Sequence, residues 1–222
     1  MSFEDINQRG LVLLGCGKMG TAMLEGWLSS GIKPASVTII DPYPSDRLVE
    51  LQAEGLRVNV DLPTAPAICI LAVKPQMMGE ALPQIAALGN GATVFLSIAA
   101  GTPISKLSDI LGAKTPIIRA MPNTPAAVGR GITALIGNAL IDDAAMAMAE
   151  GLLQAVGQTV QLDSEDQMDA VTAVSGSGPA YVFHLIETLA AAGVAEGLPA
   201  DMAMRLAKAT VGGAGELAER AA

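Results

Sequence analysis

The run LVLLGCGKMGTAM, residues 11–23, constrains the fold of this chain more than any other stretch. Four apolar residues lead into Gly15, Gly17 and Gly20 at the spacing G-x-G-x-x-G, and a helix-like pattern follows. Gly15 suits a tight turn off a strand, Gly17 lets backbone approach a pyrophosphate, and Gly20 lets the next helix pack closely on a sheet. The helix start then presents free N–H groups and its positive dipole end to phosphate. The spacing alone is equally compatible with a plain glycine turn, so its surroundings decide.

Those surroundings favour a dinucleotide loop. The next strand-like run, VTIID at 37–41, ends in Asp41, twenty-one residues beyond Gly20. At that separation a carboxylate accepts hydrogen bonds from an adenosine ribose. Asp41 argues for NADH, because a carboxylate repels a 2′-phosphate, whereas Lys18 in the loop and Arg47 beyond it offer compensation for NADPH. The structural alternative for Asp41 is a turn acid before Pro42.

Further apolar runs at 67–73, 93–98 and 116–122 alternate with helical stretches, which predicts a parallel sheet covered by helices on both faces. Two more, at 132–137 and 158–162, have only one helix between them, so the far edge is expected to be mixed or antiparallel. After Asp163 the strand signal stops and SEDQMDAVTAV opens with residues suited to a helix start. A boundary is placed here, giving domains 1–162 and 163–222. The tail reads as two helices beginning near Pro179 and Pro199. An Ala-rich pair of this size cannot bury a core alone. Val182, Leu185, Ile186 and Leu189 form one stripe at helical spacing, while Ala190, Ala191 and Gly193 allow close helix approach. A helical dimer interface is favoured over docking on the sheet domain.

Composition removes several function classes. The chain has 222 residues, 51% of them hydrophobic, and a formal net charge of −9, which leaves no basic footprint for nucleic acid. Every long apolar run is interrupted by charge, Pro or Gly, and the opening MSFEDINQRG lacks a basic n-region, so no membrane association and a cytoplasmic location are expected. Cys16 and Cys69 have no metal or disulfide spacing, and Cys69 lies in a strand-like run where it serves as a small hydrophobe. The single histidine, His184, falls off the apolar stripe and has no nucleophile or metal partner in the pattern. Any reaction must rest on a cofactor and on positioning.

Three strand ends carry unusual loops: AVKP (72–75), SIAAG (97–101) and RAMPNTPA (119–126). In a doubly wound sheet the ligand crevice lies at these carboxyl ends. Lys74 beside it would attract phosphate or carboxylate. Asn123, between two prolines, either closes an Asx-type turn or meets ligand. Ser175, Gly176, Ser177 and Gly178 precede a helix, where they offer an anion N–H groups and hydroxyls or form a plain turn.

Taken in order, GCGKMG, AVKP, SIAAG, RAMPNTPA and AVSGSGPAYVF resemble pyrroline-5-carboxylate reductase over nearly the whole chain. The resemblance implies a Rossmann-like doubly wound sheet followed by an all-helical C-terminal dimerisation domain. It implies NADPH or NADH reduction of the cyclic imine pyrroline-5-carboxylate to L-proline by a homodimer or larger homo-oligomer. It assigns Leu14, Gly15, Cys16, Gly17, Lys18, Met19 and Gly20 to the pyrophosphate loop and Asp41 to the ribose. Ala72, Val73, Lys74 and Pro75, with Ile98, Ala99 and Ala100, border the nicotinamide side, and Asn123 joins the cofactor-binding set. Glu165 matches a substrate-contacting position, with Ser177 a second substrate-site candidate; no metal is implied.

Two departures stand out. Family members that prefer NADPH commonly carry a small hydroxyl or a basic pair where this chain has Asp41 and Pro42. The family's SPGGTT-type loop, which holds the substrate carboxylate, is missing, so the 222 residues are expected to be part of a longer polypeptide that binds cofactor here but reduces efficiently only when complete. A β-hydroxyacid dehydrogenase is the rival enzyme reading, but the helix that should carry its lysine, SGSGPAYVFHLIETL, has none. A non-catalytic dinucleotide-binding dimer would need the glycine loop and not the crevice loops.

Overall fold

A computed structural model describes residues 3–221. They divide into two compact units, Met1–Thr172 and Ala173–Ala222. This division falls ten residues beyond the boundary expected at Leu162, because the segment that opens at Ser164 bonds through Glu165 to Arg119 and the Ile104 N–H of the first unit.

The first unit is built on one eight-stranded sheet: β1 (Leu11–Leu14), β2 (Val37–Ile40), β3 (Arg57–Val58), β4 (Ile68–Leu71), β5 (Val94–Ser97), β6 (Ile117–Met121), β7 (Gly131–Gly137) and β8 (Gly157–Gln161). Their order is β3-β2-β1-β4-β5-β6-β7-β8. β1 is flanked by β2 and β4, both parallel to it, so the strand order reverses beside β1 and a ligand crevice opens there. The far edge is mixed, as expected: β7 runs antiparallel to β6 and β8 parallel to β7. Two-residue β3 is too short to leave a period in the sequence.

The central strands LVLL, ICIL and VFLS are buried along their whole length, which explains why they read as continuous apolar runs. Their residues alternate between two cores. Leu11, Leu13, Ile68 and Ile70 join one core with α2 (Lys18–Ser29) and α6 (Asp143–Gln154). Val12, Leu14, Cys69 and Leu71 join the other, with α4 (Met78–Ala81) and α5 (Ile104–Leu111). Fully buried Trp27 anchors α2, and its indole N–H donates to the Leu152 carbonyl of α6 at 2.8 Å. The remaining helices of this unit are α1 (Glu4–Arg9), α3 (Asp46–Gln52) and α7 (Met168–Val171).

The segment that opens with Ser164 has a reciprocal cap: the Ser164 hydroxyl accepts from backbone N–H and the Gln167 amide oxygen accepts from the Ser164 N–H. After α7 a π-helical turn, Thr172–Gly176, takes in Ser175 and Gly176, while Ser177 is the N-cap of the next helix and Gly178 opens it. The second unit is a helix pair, α8 (Gly178–Ala195) and α9 (Ala200–Arg220), with Pro179 in the first turn of α8 and Pro199 at the N-cap of α9. The pair closes through small residues. Ala190, Ala203 and Ala207 are buried, and a Cβ on Gly193 would stand 3.2 Å from that of Ala203. Val182, Leu185 and Leu189 of the apolar stripe remain 42–49% exposed.

Candidate active site

The glycine loop leaves β1 with Gly15 at φ +85°, a conformation that L side chains rarely adopt. A Cβ there would lie 2.7 Å from Val73 and 3.1 Å from the Ala72 backbone, so Gly15 lets the loop lie against the chain that follows β4. A Cβ on Gly20 would stand 2.9 Å from the Gly15 carbonyl oxygen, which is how closely α2 returns over the loop. Gly17 differs: a Cβ there meets nothing within 4 Å. Its missing side chain leaves space open at the N-cap of α2, where backbone N–H groups and the helix dipole favour an anion. The loop therefore fits a pyrophosphate. Gly15→Ala is expected to cost about 1–2 kcal/mol from the positive φ alone, read as a lower denaturation midpoint with unchanged slope.

Asp41 follows β2 and is tied to this loop. One carboxylate oxygen accepts from the Cys16 N–H at 2.6 Å and the other from the Tyr43 N–H at 2.8 Å. Asn59, at φ +52°, fixes the Asp41 backbone from both sides, its amide oxygen accepting from the Asp41 N–H and its amide donating to the Asp41 carbonyl. Nothing in the sequence pattern singles out Asn59, which lies just outside the short β3. Arg47 donates to Glu25 at 2.6 and 3.3 Å and to Glu50 at 3.2 Å. Lys18 is exposed in the first turn of α2 and lines the cleft against the Thr124–Val128 turn. Cys16 is buried beside the Thr21 hydroxyl, and burial raises its thiol pKa, so it packs as a neutral group. Burial likewise pushes up the thiol of Cys69.

The crevice loops stand at the carboxyl ends of β4, β5 and β6. Ala72 and Val73 are half-buried, and the Ala72 N–H donates to the Leu14 carbonyl; Lys74 and Pro75 are exposed. Ile98 and Ala99 are buried, with their side chains in the two cores, and Ala100 is exposed. The buried Asn123 uses its amide oxygen to accept from the Ile132 N–H at 2.9 Å, joining the ends of the β6–β7 connection. This bond spans nine residues and is not the local Asx-type turn weighed from sequence, and the Asn123 side chain makes no cap bond to the Thr124–Val128 turn.

Glu165 reaches into the sheet unit. Its Oε1 accepts from the Ile104 N–H at the start of α5 (2.9 Å) and from Arg119 Nη1 of β6 (2.7 Å). The Arg119 side chain is only 9% exposed and that of Glu165 31%. Sequence reasoning quoted Arg119 inside RAMPNTPA without assigning it a role; a cation in an otherwise apolar strand was the available signal that it needs a buried partner. Ser177 lies at the start of α8 in the other unit, half-buried, with no side-chain cap bond. Among the described residues no group of acidic, His or Cys side chains is arranged to hold a metal, and no helix is long and apolar enough to cross a membrane.

Comparison with known proteins agrees with this architecture. A family model for pyrroline-5-carboxylate reductase dimerisation matches residues 165–222, and one for coenzyme F420-dependent NADP oxidoreductases matches residues 10–101. The pyrroline-5-carboxylate reductase of Pseudomonas aeruginosa is 36% identical over 211 residues, covering 94% of this chain and 77% of that protein. The chain belongs to the pyrroline-5-carboxylate reductase family. The Synechocystis reductase is 38% identical, covering 93% of this chain and 78% of its own length. A solved reductase from Coxiella burnetii superposes with a TM-score of 0.86 at 30% identity, over 95% of this chain and 79% of that one. The Plasmodium falciparum reductase, solved with NADP bound, gives 0.84 at 28% identity, over 97% and 80%. Within a pyrroline-5-carboxylate reductase, the reversal of strand order at β1 and the open position at Gly17 are the features suited to holding NAD(P)H.

Proposed function

We propose that this chain reduces 1-pyrroline-5-carboxylate to L-proline with NADPH or NADH. The observation that carries the reading is the empty position at Gly17, framed by the start of α2, in a chain of this family. Leu14 to Gly20 bind the pyrophosphate, and Asp41 accepts from the ribose. The loops 72–75 and 98–100, with Asn123 behind them, form the wall against which the nicotinamide end rests. When bound, a reduced nicotinamide supplies the hydride that the imine carbon takes up. The imine nitrogen, already protonated in the cyclic substrate, becomes the amine of proline without a strong acid from the protein, which accords with the lone, exposed His184. The chain's part is to bind, orient and exclude water. Loss of reduced-nicotinamide absorbance on adding pyrroline-5-carboxylate, with proline formed in equal amount, tests this reaction.

Glu165 is proposed to act beside the substrate, held in one orientation by Arg119 and Ile104, with Ser177 as a second substrate-side group. The natural domains are proposed to be the sheet domain, 1–162, and the helical domain, 163–222. The helical tail is proposed to form a homodimer or larger homo-oligomer, and the protein to work in the cytoplasm on a small molecule, without nucleic acid or membrane. The exposed stripe Val182, Leu185 and Leu189 supports self-association, since apolar faces of this kind mark interfaces. Leu185→Glu with Leu189→Glu should weaken the oligomer at least tenfold in sedimentation and leave helix content unchanged. A monomeric parent would contradict it.

A further inference from the structure

Resting on the proposed NAD(P)H site, the geometry points to a built-in preference of this chain for NADH over NADPH, set by an immobilised Asp41 and by the capture of Arg47 between Glu25 and Glu50. Asp41 is not a free side chain that can swing away from a phosphate. Its two oxygens hold the Cys16 and Tyr43 N–H groups, and Asn59 grips its backbone, so moving the charge breaks hydrogen bonds to the cofactor loop itself. A carboxylate oxygen that already accepts one N–H retains lone-pair capacity for a ribose hydroxyl. A 2′-phosphate has no proton to donate in return and is repelled at short range.

Arg47 is the cation that the sequence offers just beyond β2, and the fold commits it elsewhere. It forms a two-pronged pair with Glu25 from α2 and a further bond to Glu50 one turn along α3. These exposed pairs are individually weak. Their effect is on charge: Arg47 with Glu25 and Glu50 carries a net −1, so a phosphate arriving there meets surplus negative charge even if the guanidinium turns toward it. Lys18 lines the cleft between α2 and the Thr124–Val128 turn and does not replace Arg47.

The test is calorimetric titration of the intact chain with NADH and, separately, with NADPH. The wild type should bind NADH at least tenfold more tightly, and the gap should narrow as salt rises. Asp41→Asn removes the charge and should bring the two affinities within about threefold. Because that variant also disturbs the glycine loop, the surface variant Glu25→Gln/Glu50→Gln is the independent check. It should strengthen NADPH binding severalfold, leave NADH binding unchanged, and lose the gain when Arg47→Ala is added. NADPH binding as tight as NADH in the wild type, or a glutamate variant that shifts both cofactors alike, would overturn the preference while leaving the site intact. If neither cofactor binds, the site itself is wrong and the preference falls with it.

Discussion

Gly17→Val is expected to weaken NADPH and NADH binding at least 100-fold while leaving the denaturation midpoint within error of the parent. The two halves of this result have one cause. A Cβ at Gly17 meets nothing within 4 Å beyond its chain neighbours, so the fold has little to lose, and the space a side chain enters is the approach of a pyrophosphate to the α2 N–H groups. Neighbouring glycines predict the opposite pattern. At Gly15 and Gly20 a Cβ runs into Val73 or the Gly15 carbonyl, so substitutions there reduce stability first. Titration of Gly17→Val, paired with urea denaturation, separates the cases; unchanged cofactor affinity would show that the loop is not the anchor.

Glu165→Ala should destabilise the sheet unit by about 2–3 kcal/mol, at or just below the range for breaking a buried ion pair because the glutamate is partly exposed. The loss leaves the Arg119 guanidinium buried without its partner and removes the acceptor that holds the Ile104 N–H. Glu165→Gln keeps an acceptor for that N–H and should lose less. Cofactor affinity should survive both changes, while KM for pyrroline-5-carboxylate rises in the Gln variant if Glu165 also faces substrate. Urea denaturation and steady-state kinetics on the same preparations read the two roles apart. Stability equal to the parent in the Ala variant would contradict the tie to Arg119.

What could be read from sequence divides along physical lines. Runs such as ICIL and VFLS were readable because strands buried on both faces must be apolar at every position, and the reversal at β1 follows from alternating strands and helices. The single helix between the last two strand-like runs suggests a mixed edge, but that helix, α6, joins the parallel pair β7 and β8; the antiparallel step is β6 to β7, whose short connection carries only the Thr124–Val128 turn. Side-chain commitments were not readable. Arg47 looked available for a phosphate because its partner Glu25 lies 22 positions away on another helix. Glu165 looked like a substrate group alone, since its bond to Arg119 spans 46 positions and depends on how the segment opened by Ser164 folds back onto the sheet. The SGSG stretch left a turn and an anion-binding helix start both open, because Gly and Ser punctuate helices far more often than they sit in the π-helical turn that takes in Ser175 and Gly176.

The central claim, hydride transfer to a cyclic imine, is tested most directly by a single turnover with protein in excess, which reads the chemistry independently of how fast repeated cycles run. NADH carrying deuterium at both C4 positions of the nicotinamide is mixed with the chain and pyrroline-5-carboxylate, and the proline formed is analysed by mass spectrometry. The account predicts proline with one non-exchangeable deuterium on the former imine carbon, absent when Gly17→Val replaces the parent. Cofactor bound tightly, with no deuterated proline above the protein-free control, would contradict it.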